Sequence, residues 1–388
     1  MQKRFYLDWN ATSPLWPEVK EAMLRAFDSV GNASSIHQEG QQARAIVERA
    51  RRALGEAIDA PAQAIVLTGG ATEANNQVLR THALYTKRPF IVCSAVEHPS
   101  VLEVVEELDE TFRKVRAAIL GVDHQGRLDL VELERLLGEG ATLVSVMYAN
   151  NEIGNVYPIK EIADMCRAHD ALCHVDATQA FGRLPLSFRE LGVDIMTLSV
   201  HKMGGPKGVG ALIVREGLVQ ESMMAGGHQE RGRRPGTENV PAIAGLAAVS
   251  RLVRERRQAW QESMEARRAH LLARLMELLP EGSVELRGDQ AARLPNTLNL
   301  AFEGVTGEDA LLSLDLGGVS ASSGSACTAG SIEPSHVVLA MGFGSSEAKR
   351  SVRLSVGPGE GVEDLDEAAE VIAQTIGRLM KRTYAASV

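Results

Sequence analysis

Between about residues 60 and 215 the chain alternates two kinds of segment, and this alternation restricts its fold more than any other feature. Short β-rich apolar runs (AIVLT, FIVCSA, VRAAIL, TLVSVMY, ALCHVD, DIMTLSV) are separated by helix-like stretches such as EVVEELDETF and IKEIADMCRAH. Near-continuous apolar strands with intervening helices predict a mainly parallel sheet covered on both faces. Sheets of that kind bind ligands at the carboxyl ends of their strands, so the loops after these runs carry the functional expectation.

A long amphipathic stretch from Ile243 to Leu279 keeps Leu252, Trp260, Met264, Leu271 and Leu275 at helical spacing and stops at Pro280. Beyond it SVELRG, TLNLAF and SVRLSV read as strands and LDEAAEVIAQTIGRLM as a closing helix. The 388 residues are enough for two cores. The expected division is a large α/β domain over 15–255, with 1–14 and 256–388 forming a smaller α+β domain.

A formal net charge of −9 argues against a general nucleic-acid partner, which needs a surplus of clustered Lys and Arg. Apolar stretches such as GVGALIV and AIAGLAAVS fall short of the roughly 20 residues a membrane span requires. The start, MQKRFYLDWN, has no apolar run after its basic residues, so no export signal is expected and the cytoplasm is the expected compartment. Cys93, Cys166, Cys173 and Cys327 lie far apart without a CxxC pair, which fits reduced thiols better than disulfides or a zinc site.

Four constellations carry chemistry. TGGATEANN places Ala71 and Thr72 at a helix N-terminus after a strand, where an anion is stabilised by free N–H groups; its bland counterpart is a turn that binds nothing. HVDATQA puts Asp176 just past ALCHV, where a carboxylate can face a pyridine nitrogen; a lone Asp is more often a cap or an ion-pair partner. SVHKMGGPKG brings Lys202 out at the same sheet edge, flanked by Ser199 and His201, and a lysine there can form a Schiff base with an aldehyde cofactor. In SASSGSACTAGS, Cys327 sits among small polar residues with no apolar period, which predicts a loop, whereas Cys93, Cys166 and Cys173 lie in apolar surroundings and read as core residues. Arg353 in SVRLSV has a planar fork suited to a carboxylate.

Taken together, DWNATSP, GNASSIH, TGGATEANN, EHPSV, NNEIG, HVDATQ, SVHKMGGPKG, RRPGTEN, SSGSACTAG and VRLSVG resemble, in collinear order over nearly the whole chain, the cysteine desulfurases of the NifS/IscS type. The lysine segment alone is shared by several class V aminotransferase enzymes, while the SSGSAC loop marks the desulfurase branch. The resemblance implies a pyridoxal-phosphate (PLP) fold-type I homodimer whose large domain holds a seven-stranded, mainly parallel sheet. It implies Lys202 as the Schiff-base lysine, Asp176 at the pyridine nitrogen, Gln179 near the phenolic oxygen, and Asn151 and His98 in the same site, with His98 stacked over the ring as an acid/base. Ala71, Thr72, Ser199 and His201 would hold the phosphate, with Thr237 reaching it from the partner subunit. Arg353, with Asn32, would take the substrate carboxylate.

The implied reaction converts L-cysteine to L-alanine and leaves a persulfide on Cys327, for transfer to an acceptor such as an iron–sulfur scaffold protein. No resident metal is implied; Cys327 would touch a cluster only transiently. Ser13 stands where the family usually has Thr, and Ala33 where Pro is common. The sequence ends on KRTYAASV, whereas housekeeping members of the family it resembles carry a longer tail that helps dock the scaffold, so the resemblance implies no particular acceptor. The rival readings are a selenocysteine lyase or another class V enzyme, and a non-catalytic sulfur carrier, against which Lys202 and Asp176 argue.

Overall fold

The computed structural model describes residues 3–323 and 333–386. Twelve strands are present among the described residues: β1 (Phe5–Tyr6), β2 (Ile65–Thr68), β3 (Phe90–Ser94), β4 (Arg116–Leu120), β5 (Leu143–Met147), β6 (Leu172–Asp176), β7 (Ile195–Ser199), β8 (Gly210–Val214), β9 (Val284–Leu286), β10 (Thr297–Phe302), β11 (Val319–Ser320) and β12 (Ser351–Ser355). Seven of them form one sheet in the order β2-β8-β7-β6-β5-β3-β4. Every neighbouring pair in it is parallel except the two made by β8. This is the mainly parallel sheet that the apolar runs predicted. The edge strand β4 departs from the pattern of double-sided burial, because its outer side has no neighbouring strand and Arg116 stays exposed.

Helices cover both faces. On one, α3 (Ala71–Tyr85) and α4 (Pro99–Thr111) pack Ala74, Val78, Leu79, Val101, Val105 and Leu108 over Val66, Ile91, Cys93 and Leu212. On the other, α1 (Pro17–Phe27), α2 (Gln38–Ile58), α5 (Leu130–Gly138), α6 (Ile159–Ala168), the short α7 (Phe188–Leu191) and the first half of α8 (Val240–Leu278) close the largest core. Helix α8 runs from Val240 to Leu278 and ends before Pro280, whose ring cannot continue it. Its first four turns bury almost every apolar residue. Farther along, a stripe of Trp260, Met264, Arg267, Leu271 and Leu275 is buried, and its apolar members have the periodicity legible in the sequence.

A separate core holds Leu271, Leu275 and Leu279 against β10, β12, α9 (Gly307–Leu316) and α12 (Glu363–Ala386), and the short α10 (His336–Ala340) and α11 (Ser345–Ala348) precede β12 in the chain. Phe5 and Leu7 of the N-terminal arm are buried in it, and β1 pairs with β11 in parallel. No helix among the described residues is long and apolar enough to cross a membrane.

Candidate active site

The ends of β2, β3, β5, β6 and β7 open together on a cavity of about 1530 Å³, closed on its far side by α9, Ser322, Ser323, His336 and Arg353. Each of these strands delivers residues there, because parallel strands of one sheet end at the same edge.

After β2 the chain turns through Gly69 and Gly70 into α3. Gly70 has φ 153° and ψ −179°, a region open essentially to glycine alone. The turn leaves the amides of Ala71 and Thr72 at the start of a 15-residue helix on the cavity wall. Glu73 in the first turn accepts from the Gly69 amide at 2.9 Å and pairs with Arg234 at 2.9 Å, so its charge does not stand alone at that helix end.

After β3, His98 caps α4. Its Nδ1 accepts from the Ser100 amide at 3.1 Å, and since an amide only donates, neutral His98 carries its proton on Nε2. The Ser100 hydroxyl also meets Nδ1 at 2.9 Å and in turn accepts from Asn75 Nδ2 at 2.9 Å. The same Asn75 nitrogen donates to Asp176 Oδ2 at 2.9 Å. A continuous hydrogen-bonded chain, Asp176–Asn75–Ser100–His98, therefore links the ends of β6 and β3 beneath the cavity.

Burial opposes ionisation of Asp176, but bonds from Thr178 and Asn75 outweigh it and hold the carboxyl below the usual aspartate range. Lys202 follows β7 in a single helical turn. Burial lowers its ammonium to about 8; Asp176 and Asp8 oppose that fall, while Arg183 and Arg353 add to it. His98 is lowered by burial and by Lys202. His201, whose Nδ1 lies 3.2 Å from Thr12 Oγ1, is lowered by burial to about 4 and is neutral near pH 7.

Of the residues expected from the sequence, Ala71, Thr72, His98, Asn151, Asp176, Gln179, Ser199, His201, Lys202 and Arg353 all line this one cavity. Gln179 donates to Asn10 O at 3.1 Å and accepts from the buried Arg183. Asn32 is not brought in: it is exposed, and its Oδ1 accepts from the Ser34 amide at 2.9 Å. Thr237 is exposed and outside the cavity wall of its own chain. Cys327 lies outside the described residues, but Ser322, Ser323, Glu333 and Pro334 on either side of its span are at the wall. Cys93, Cys166 and Cys173 are buried and free, as core residues.

Arg353 is already engaged: it donates to Asp8 at 2.7 Å and to Asn151 O at 3.0 Å. Asn75, Ser100, Arg183 and Asp8 were not singled out from the sequence. Asn75 sits in TGGATEANN and Ser100 in EHPSV, where a polar residue at a helix start next to a strand end was the available signal.

The aminotransferase class-V family model matches residues 5–367. The chain is 42% identical to a cysteine desulfurase of Sinorhizobium fredii over 96% of its own length and 97% of the relative's. It is 38% identical to the cysteine desulfurase IscS of Dictyoglomus turgidum, covering 98% of this chain and 96% of that one. Among solved structures it resembles a NifS-like protein with a TM-score of 0.89 at 31% identity, over 97% of this chain and 100% of the other. It also resembles SspA, solved in complex with cysteine, with a TM-score of 0.79 at 29% identity over 92% and 99%. With its sheet edge, its cavity and these full-length likenesses in agreement, the chain belongs to the aminotransferase class-V family, among its cysteine desulfurases.

Proposed function

We propose that the protein removes the sulfur of free L-cysteine with the help of pyridoxal phosphate, releases L-alanine, and holds the sulfur as a persulfide on Cys327. The observation that carries this reading is the delivery of Lys202 and Asp176 from adjacent strands to one cavity, with Asp176 tied to His98 through Asn75 and Ser100.

The residues present fit that cofactor. Gly70 leaves open space in front of the α3 N-terminus, where a side chain would meet nothing within 4 Å, and Ala71, Thr72, Ser199 and His201 would hold a phosphate there. Thr237 of a partner subunit would complete the phosphate site in a homodimer. Asn151 and Gln179 would border the ring, and His98 would lie over it. Bound there, pyridoxal phosphate supplies an aldehyde for Lys202 and an electron-withdrawing ring for the substrate's α-carbon.

Lys202, lowered to about 8, offers a useful fraction of free amine near neutral pH, and the same amine can take and return the α-proton. Asp176, held ionised, would keep a proton on the cofactor's pyridine nitrogen. Arg353 orients the substrate carboxylate. Cys327 takes the sulfur: one C–S bond breaks, one S–S bond forms, and L-cysteine plus the Cys327 thiol become L-alanine plus the Cys327 persulfide. The persulfide then passes to an acceptor, such as an iron–sulfur scaffold protein. Buried free thiols support a reducing, cytoplasmic setting, and the two cores sharing α8 support the two-domain division near residue 256.

The test is Cys327→Ala. The variant should retain the cofactor and bind cysteine, yet release neither alanine nor sulfide at a comparable rate, while mass spectrometry of cysteine-treated wild type finds one added sulfur on Cys327. Wild-type sulfide release by the variant, or sulfur found on the buried Cys93, Cys166 or Cys173, would overturn the reading.

A further inference from the structure

We propose that Asp8 regulates how tightly the site holds an amino-acid carboxylate, by sharing the Arg353 guanidinium with it. The inference deepens the function proposed above and rests on Arg353 as the carboxylate-binding group.

The guanidinium is nearly enclosed, with 5% of its side chain exposed, and Asp8 is 17% exposed. Arg353 Nη2 donates to Asp8 Oδ1 at 2.7 Å. The other Asp8 oxygen accepts from the Ser322 hydroxyl at 2.9 Å. Arg353 Nη1 donates to Asn151 O at 3.0 Å, an oxygen that also accepts from Asn10 Nδ2 at 3.1 Å. Arg353 Nε is buried without a partner, so the fork still has an unused donor. Arg353, Ser322 and Asn151 line the cavity and Asp8 does not. Asp8 therefore acts from behind, through Arg353, and is a positioning residue.

A buried guanidinium needs a counter-charge when the cavity holds no substrate, and a plain structural ion pair would meet that need. The arrangement does more once an amino acid arrives. Its carboxylate must share a guanidinium whose charge Asp8 already offsets, and two carboxylates on one cation repel each other. Substrate cysteine and product alanine carry the same α-carboxylate. A clamp neutralised by nothing else would hold both strongly and retain the product. Asp8 weakens the hold on both while its fixed bond, braced by Ser322, keeps the fork aimed.

The experiment measures inhibition of the holoenzyme by L-alanine, with cysteamine, which lacks the carboxylate, as the control ligand. Asp8→Asn keeps an acceptor for Nη2 and removes the charge. The alanine inhibition constant and the KM for cysteine should both fall by about tenfold, kcat should fall as alanine leaves more slowly, and cysteamine binding should not change. Asp8→Glu, which restores the charge, should return alanine inhibition toward wild type. Asp8→Ser, also neutral, should move it the same way as Asp8→Asn and serves if the latter does not fold. Unchanged or weaker alanine inhibition in a folded neutral variant overturns the proposal. Failure of the underlying reading is seen separately: Arg353→Ala would then leave the enzyme's discrimination between alanine and cysteamine intact.

Discussion

Asn75→Leu tests whether the two ends of the hydrogen-bonded chain depend on its middle. Asn75 is fully buried, and its one amide nitrogen serves both Asp176 and Ser100 at 2.9 Å. Leucine has a similar shape and no donor. The lost bond to a carboxylate is worth about 1.5–3 kcal/mol and the lost bond to Ser100 about 1 kcal/mol. If Asp176 stays ionised for the ring chemistry as proposed above, the first loss falls on the transition state; at about 1.4 kcal/mol per decade it predicts a drop in kcat of roughly ten- to over a hundredfold. Removing a donor to the carboxylate also raises the pH at which Asp176 protonates, so the acid limb of the pH–rate profile should move to higher pH. Stability follows the same sign: the lowered carboxyl contributes stability above its unfolded value and loses it as the pH falls, so the variant should lose it sooner on acidification. The assay is steady-state alanine formation from about pH 5 to 9, with the cofactor absorbance as a check on loading. Ser100→Ala, which touches only the His98 branch, should cost about fivefold and leave the acid limb in place. A kcat for Asn75→Leu within threefold of wild type (~0.6 kcal/mol) and an unmoved acid limb would refute the coupling.

Lys202 in cofactor-free protein should react with small aldehydes, followed by borohydride trapping and mass spectrometry, with a rate rising through about pH 8; a rise only near the ordinary lysine value would show that burial does not act on its amine. Glu97 is buried beside Ser94 and the Met147 amide, and burial raises its carboxyl to about 8. A raised carboxyl favours the fold fully at acid pH and loses that contribution as the pH rises through about 8, so Glu97→Gln should match wild type in guanidinium unfolding near about pH 5 and exceed it near about pH 9. Equal stability at both would rule out that assignment.

Six of the seven strands of the large sheet were legible because each is an apolar run of β-rich residues, and Lys202 and Asp176 were legible as neighbours because consecutive parallel strands present their ends together. Asp176 and Thr197 are indeed register partners on β6 and β7. The reversal of β8 was not legible, since GVGALIV reads alike in either direction. Asn75 and Ser100 were missed because their meeting depends on how α3 lies against α4, which no local pattern encodes. Arg353 was expected as a clamp for the substrate carboxylate; its pairing with Asp8, which joins residues 345 apart in sequence, was not legible. Asn32 was expected in the site, yet it serves a local turn with Ser34.

The position of the N-terminal arm has a consequence for how the chain is made. Phe5 and Tyr6 pair with Val319 and Ser320, Phe5 and Leu7 are buried in the small core, and Asp8 waits for Arg353. At synthesis rates of about 5–20 residues per second the arm leaves the ribosome roughly 20–70 s before its partners. Throughout that interval it is an apolar strand with unpaired backbone edges, the kind of segment that chaperones shield and that associates wrongly when crowded. The sheet of the large core can close during translation, since β2 through β8 end at residue 214, whereas the wall carrying Arg353 forms only once β12 has been made, about 140 residues later. A tag or truncation at the first few residues would therefore burden the last event of folding, the fitting of the arm that completes the cavity.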